Sequence, residues 1–138
     1  MGGGVGLSVH GKYRIAGDAT VFAMPETGIG YFPDVGGTFF LPRLGMSIGQ
    51  WLGLTGARLN VGQTCDIGIA NIYVPTNKHS DLIEALGTAD LDGTDNRVNK
   101  VLEAFAQVPP AHDAIPEAIK AFNCSSVPEI LLSLDSDN

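Results

Sequence analysis

At 138 residues, with 44% hydrophobic and 17% charged residues, the chain has the length and balance of one folded globular domain, which excludes a disordered segment. Fifteen acidic against eight basic residues give a net charge of -7, and the scattered basic residues exclude a nucleic-acid partner. Cys65 and Cys124 are too few for a disulfide framework or a zinc cluster, so the expected setting is intracellular and reducing, with both thiols acting as small buried hydrophobes.

The chain opens on Gly2-Gly3-Gly4 and runs into Val5-Gly6-Leu7-Ser8-Val9-His10, which is short and apolar enough to predict a buried helix entered through a tight turn. This start lacks the charged head and long apolar core of a secretory leader, and no later apolar run is long enough to cross a bilayer, so no membrane partner is expected. Tyr13 to Ala16 and Thr20 to Ala23 are rich in β-branched or aromatic residues and flank Gly17-Asp18, which predicts two short strands joined by a turn. Met24 to Asp34 holds two prolines and two glycines and reads as an ordered loop without regular structure, a common seat of function.

From Val35 the pattern turns helical as far as Leu41, with Asp34 a candidate N-cap, and Pro42 interrupts it. Ser47 to Leu54 reads as a helix capped by Ser47 and stopped by Gly56. A further helical stretch runs from Val61 to Ile67, and Ile72-Tyr73-Val74 is a candidate strand. Beyond Pro75, apolar residues recur at helical spacing in Ser80 to Leu86, Arg97 to Gln107, Pro116 to Phe122 and Val127 to Leu134. The composition changes near Thr76, which divides a glycine-rich α/β segment, residues 1–76, from a helical segment, residues 77–138.

Several chemical motifs are absent. No Lys-Ser/Thr follows the glycine cluster as in a Walker A loop, and the chain has neither Gly-x-Gly-x-x-Gly nor a Gly-x-Ser-x-Gly elbow. His10, His79 and His112 lack metal-ligand spacing, so no metal is expected and each reads as a structural or surface residue. What remains is the glycine cluster with Glu26 and Asp34. A glycine turn feeding a helix presents free N–H groups at the positive end of the helix dipole, which suits an oxyanion. Glu26 and Asp34 stand eight residues apart in a constrained loop beside Ile29, Tyr31 and Phe32, where partial burial would make a carboxylate a better general base. Together these parts describe an acyl-transfer or proton-transfer site. Plainer readings stand beside that one: Asp34 as an N-cap, Glu26 as a solvated loop residue, and the glycines as points of close helix packing.

The strings Met1-Gly-Gly-Gly-Val-Gly-Leu-Ser and Phe22-Ala-Met-Pro-Glu-Thr-Gly-Ile-Gly-Tyr-Phe-Pro-Asp-Val-Gly-Gly resemble the central block of the enoyl-CoA hydratase/isomerase, or crotonase, superfamily. Leu54-Thr-Gly-Ala-Arg-Leu59 also matches its pattern. Within that superfamily, Pro-Glu-Thr-x-Ile-Gly-x-Phe-Pro-Asp-Val-Gly-Gly and the later Ser126-Val-Pro-Glu-Ile130 are similar to the 3-hydroxyisobutyryl-CoA hydrolases. The likeness spans essentially the whole chain and is strongest over residues 1–44. It implies an α/β fold, a partial crotonase (ClpP-like) β-β-α spiral core followed by a mainly helical C-terminal half.

The resemblance also implies an acyl-CoA substrate, no separate cofactor because CoA is part of the substrate, and hydrolysis of a short branched 3-hydroxyacyl-CoA as in valine breakdown. Carried over by position, the Gly3 N–H holds the thioester oxygen, Glu26 is the principal catalytic carboxylate, and Asp34 is its partner at the substrate. Hydratases place a second glutamate three residues after the oxyanion glycine, where this chain has Gly6, so hydration of a double bond is disfavoured. Dienoyl-CoA isomerases resemble the chain in pairing a glutamate with a later aspartate, but they carry an acid where Gly6 stands; they are the runner-up. The hydrolase reading leaves room beside the thioester carbonyl and gives Glu26 two routes, general base on water or direct attack to a mixed anhydride, with Asp34 orienting the reactants.

Family members have a long region before the position of Met1, which supplies a second oxyanion N–H and much of the CoA pocket, and more helix after this chain's last residue. The chain therefore reads as an internal fragment with an incomplete site and exposed apolar surface, and the alternative to a hydrolase from a different class is a catalytically incomplete fragment that self-associates. A homo-oligomer is also allowed for, since crotonase relatives often form trimers. The expected compartment is the mitochondrial matrix in a eukaryote and the cytoplasm in a bacterium.

Overall fold

The computed structural model describes residues 1–45, 47–89 and 95–136. Helix α1 (Gly3–Ser8) is entered at Gly2, whose φ of +57° makes the tight turn. It buries only Val5, and Leu7 is 91% exposed, so the expected buried helix is a surface helix. Its glycines supply no side chains with which to bury a face.

Strand β1 (Ile15–Ala16) pairs in parallel with β2 (Ile72–Tyr73), Ile15 opposite Ile72 and Ala16 opposite Tyr73. The predicted strand over Thr20 to Ala23 does not pair with β1. Within it Phe22 alone makes a bridge, antiparallel to Leu59, through N–H to O contacts of 3.0 and 2.8 Å. Distant contacts displace a local hairpin at Gly17-Asp18. A Cβ on Gly17 would fall 2.6 Å from His79 Cε1, and the Asp18 carboxylate accepts the Thr76 N–H at 2.8 Å and the Tyr73 hydroxyl.

The Arg14 guanidinium secures the same junction by donating to the carbonyls of Ile69 at 2.7 Å and Gly11 at 2.7 Å. Asn71 completes it, accepting the Arg14 N–H and donating to the Lys12 carbonyl, both at 2.8 Å.

The loop expected from Met24 to Asp34 contains one 3₁₀ turn, Glu26–Ile29, closed by Gly30 at φ +72°. Helix α2 (Gly37–Phe40) begins later than Val35 because Val35 and Gly36 have φ of +45° and +84°, outside the helical region. Asp34 is not its N-cap: the cap is Gly36, with no side-chain bond. A 3₁₀ turn, Leu41–Arg43, follows, and α3 (Ile48–Thr55) crosses it so closely that a Cβ on Gly49 would lie 2.0 Å from the Leu41 carbonyl oxygen.

Ser47 precedes α3 at φ +63° without capping it; its hydroxyl donates to Asn123 Oδ1 at 3.1 Å. Gly56 stops α3 as expected, with φ +66° and its N–H on the Leu52 carbonyl at 3.0 Å. Helix α4 (Val61–Asp66) starts in a capping box made by Asn60 and Gln63.

The remaining elements are α5 (His79–Thr88), α6 (Asp95–Phe105), a 3₁₀ turn over Glu117–Phe122, and α7 (Val127–Ser136). The main core gathers Val5, Phe22, Met24, Phe40, Leu52 and Leu59 from the first half, and Ile119 joins it from the second. A second cluster joins Val74 to Leu82 and Leu102, and a third joins Ala121, Phe122 and Ile130. Met24 and Leu52 are fully buried, each contributing about 1.5–3 kcal/mol of transfer free energy, and Met24 anchors the chain two residues before Glu26. No helix among the described residues is long and apolar enough to cross a membrane.

Candidate active site

Glu26 opens the 3₁₀ turn Glu26–Ile29 directly after Pro25. Its carbonyl accepts the Tyr31 N–H at 3.0 Å, which folds the loop back over it. Glu26 is only 7% exposed, so the solvated-loop reading fails. Its Oε2 is buried without a hydrogen-bond partner among the described residues. A buried polar oxygen left unpaired costs about 1–3 kcal/mol, and a charged one more.

Asp34 is exposed, and its carboxylate makes no hydrogen bond or ion pair among the described residues. It stands immediately before Val35, a β-branched residue in the left-handed region. Tyr31 and Phe32 lie between the two acids as an exposed stacked pair, with ring centroids 4.4 Å apart. Open grooves of about 490 and 390 Å³ share Phe32 and Pro33 as walls. The largest groove, about 640 Å³, lies elsewhere, lined by Cys65, Tyr73 and His112 among others. None of Gly3, Glu26 and Asp34 lines it.

Gly3 begins α1. A Cβ on Gly3 or Gly4 would meet nothing within 4 Å, so close packing does not explain these two glycines. Gly6 is different: its Cβ would fall 2.7 Å from Val35 Cβ. Position 6 is therefore not open space, because the left-handed turn carries the Val35 side chain across it. This contact joins the helix of Gly3 to the turn after Asp34, and Met24 beside Glu26 belongs to the same core as Val5. No direct hydrogen bond or ion pair links Glu26 to Asp34.

Each histidine meets a backbone carbonyl and packs where a glycine lacks a side chain. His10 Nε2 lies 3.0 Å from the Val35 oxygen, His79 Nε2 lies 2.9 Å from that of Val74, and His112 Nδ1 lies 3.0 Å from that of Asp113. The matching glycines are Gly36, Gly17 and Gly62. Among the described residues no group of three or more His, Cys, Asp or Glu is placed to hold a metal. Both cysteines are free and half-buried, and burial pushes the Cys65 thiol up. The positive φ of Val35 and the reach of His10 to it escaped the sequence reading; Gly36-Gly37 was the one signal of a left-handed turn.

The enoyl-CoA hydratase/isomerase family pattern matches residues 1–138. The mitochondrial 3-hydroxyisobutyryl-CoA hydrolase of Dictyostelium discoideum is 40% identical over 140 residues, which cover 98% of this chain and 36% of that protein. Its Danio rerio counterpart is 43% identical over 149 residues, covering 99% of this chain and 38% of that protein. Among solved structures, a carnitinyl-CoA dehydratase from Mycobacterium thermoresistibile superposes with a TM-score of 0.76 at 36% identity, over 100% of this chain and 39% of that one. The chain thus spans little more than a third of the length of the relatives it matches.

Proposed function

The chain belongs to the enoyl-CoA hydratase/isomerase family and carries part of the crotonase fold; from that membership we propose that it serves hydrolysis of a short branched 3-hydroxyacyl-CoA thioester, 3-hydroxyisobutyryl-CoA or a near analogue. The carrying observation is Glu26, a buried carboxylate whose Oε2 has no protein partner among the described residues. The family's acyl-CoA chemistry supplies a reason to keep such a group. The curated relatives from Dictyostelium and Danio, both named hydrolases and both named mitochondrial, support the hydrolase branch and a mitochondrial setting.

In this reading the thioester carbonyl oxygen receives the Gly3 N–H, and the charge that develops on it is met by the N-terminal end of α1. The carbonyl carbon then gains an oxygen substituent and the C–S bond breaks, releasing CoA thiolate, which takes up a proton to give the thiol. Glu26 supplies the oxygen in one of two ways. As a general base it draws a proton from water; as a nucleophile it forms a mixed anhydride that water opens in a second step. Asp34, exposed at the rim of the aromatic loop, orients the reactants. The tight contact between position 6 and Val35 crowds the position at which hydratases and dienoyl-CoA isomerases carry an acid, which weighs against their chemistry.

The test is free-thiol release by this chain from 3-hydroxyisobutyryl-CoA, beside an enoyl-CoA and an acyl-CoA that lacks the hydroxyl. Release selective for the hydroxyacyl thioester and abolished by Glu26→Ala is the expected result. Full-rate turnover by Glu26→Ala would remove Glu26 from its role. Label in the Glu26 carboxylate after single turnover in ¹⁸O-water would establish the anhydride route, since the general-base route puts all label in the product acid.

A further inference from the structure

We propose that His10 is a positioning residue: its imidazole latches the Val35–Gly36 turn and so fixes the backbone from which Asp34 projects. A β-branched residue at φ +45° is strained and persists only where its surroundings over-determine it. Here the surroundings are specific. The Val35 carbonyl can only accept, so His10 Nε2 carries the hydrogen and donates across 3.0 Å. That donor is present on the neutral Nε2–H ring and on the imidazolium alike, so the latch does not depend on protonation.

The ring fits because Gly36 has no side chain: at φ +84° a Cβ there would stand 2.5 Å from His10 Nε2. Phe39 and Phe40 flank the ring, with centroids 6.1 and 6.0 Å away. Beneath, Gly6 gives way to the Val35 side chain, and the Gly37 N–H closes the turn on the Asp34 carbonyl at 2.7 Å. Asp34 has no side-chain partner of its own among the described residues, so the backbone of this turn sets its place. His10 stands in the turn that follows α1, two residues beyond Ser8, and the latch therefore ties the end of the element that carries the expected oxyanion donor to the turn that carries the second acid.

The kinetic arm of the test rests on the hydrolase reading; the structural arm does not. The intact 138-residue chain is compared with His10→Leu, which keeps bulk and loses the donor, and His10→Gln, which keeps a donor. Backbone amide exchange is followed by NMR at Gly37, inside the turn, and at Gly56, which caps α3 away from it.

His10→Leu is expected to speed Gly37 exchange about tenfold or more while leaving Gly56 within about twofold, and His10→Gln is expected to restore Gly37 to within about threefold of wild type. With 3-hydroxyisobutyryl-CoA, kcat is expected to fall at least about tenfold in His10→Leu with KM within about twofold, and to recover in His10→Gln. Unchanged Gly37 exchange, equal acceleration at Gly56, or failure of Gln to rescue would each overturn the latch. Absence of thiol release from the wild-type chain would sink the hydrolase reading alone, since the exchange arm still decides the role of His10.

Discussion

A buried carboxylate oxygen without a partner sets stability against function at a single residue. Replacing Glu26 by Met removes the orphaned oxygen while filling similar volume, so the urea midpoint is expected to rise by the equivalent of about 2 kcal/mol as thiol release is lost. A Glu26→Met variant that is both inactive and less stable would contradict this. Asp18 shows the opposite arrangement. The Tyr73 hydroxyl first, then the Thr76 N–H, hold its carboxyl below the ordinary 3.8, and the same bond raises Tyr73 above the ordinary 10.0. A depressed carboxylate stabilises the fold above its unfolded value and ceases to do so as pH falls through its folded value; a raised tyrosine contributes below its unfolded value and is lost as pH rises. Stability should therefore fall at both ends of the range, and Asp18→Asn should flatten both limbs in denaturant titrations at stepped pH. The Pro/Gly loop and its apolar neighbours made burial of Glu26 legible in the sequence, but the unpartnered state of its Oε2 was not. Val35 at positive φ was illegible because intrinsic preference for a β-branched residue points the other way.

Helix ends and crossings decide the elements. Gly49 passes so close to the Leu41 carbonyl that Gly49→Ala cannot be accommodated by side-chain movement alone; a loss of about 3 kcal/mol in unfolding free energy is expected, larger than for a typical added methyl. Asn60→Ala removes one half of the α4 capping box and is expected to cost about 1 kcal/mol. Helices α5, α6 and α7 were legible because apolar spacing repeats over several turns, whereas the stretch read as a helix from Pro116 to Phe122 is 3₁₀. The sheet was not. Ile15 and Ala16 find their partners at Ile72 and Tyr73, and local propensity around Gly17-Asp18 cannot announce a pairing that is set by His79, Thr76 and Tyr73 arriving from far along the chain. Ser47 has the residue type of a cap, yet its backbone lies in the left-handed region and its hydroxyl serves Asn123 instead.

Taken whole, the molecule offers water a good deal of apolar surface. Leu7, Ile29 and Val108 are each more than four-fifths exposed, and Phe32, Leu131 and Leu132 are more than half exposed. The net charge of -7 opposes association, and salt screens that opposition over about 10 Å at 0.1 M. Light scattering is therefore expected to show a mass that grows with protein concentration and grows faster at high salt; a strict monomer at all salt levels would count against self-association. The family and its fold were legible at this scale because the glycine cluster and the Pro/Gly loop form one continuous pattern. The exposure was legible only as a consequence of that likeness.

The parallel pairing of β1 with β2 also has a consequence in time. No hairpin can bring these strands together, so β1 must wait until the intervening helices have been made and collapsed before it finds its neighbour. Until then the edge of β1 facing β2 stays open, and the Arg14 contacts to Gly68 and Ile69 lie across the same junction. Closure of that pair is expected late in refolding, and the interval before it is when mispairing with neighbours is easiest.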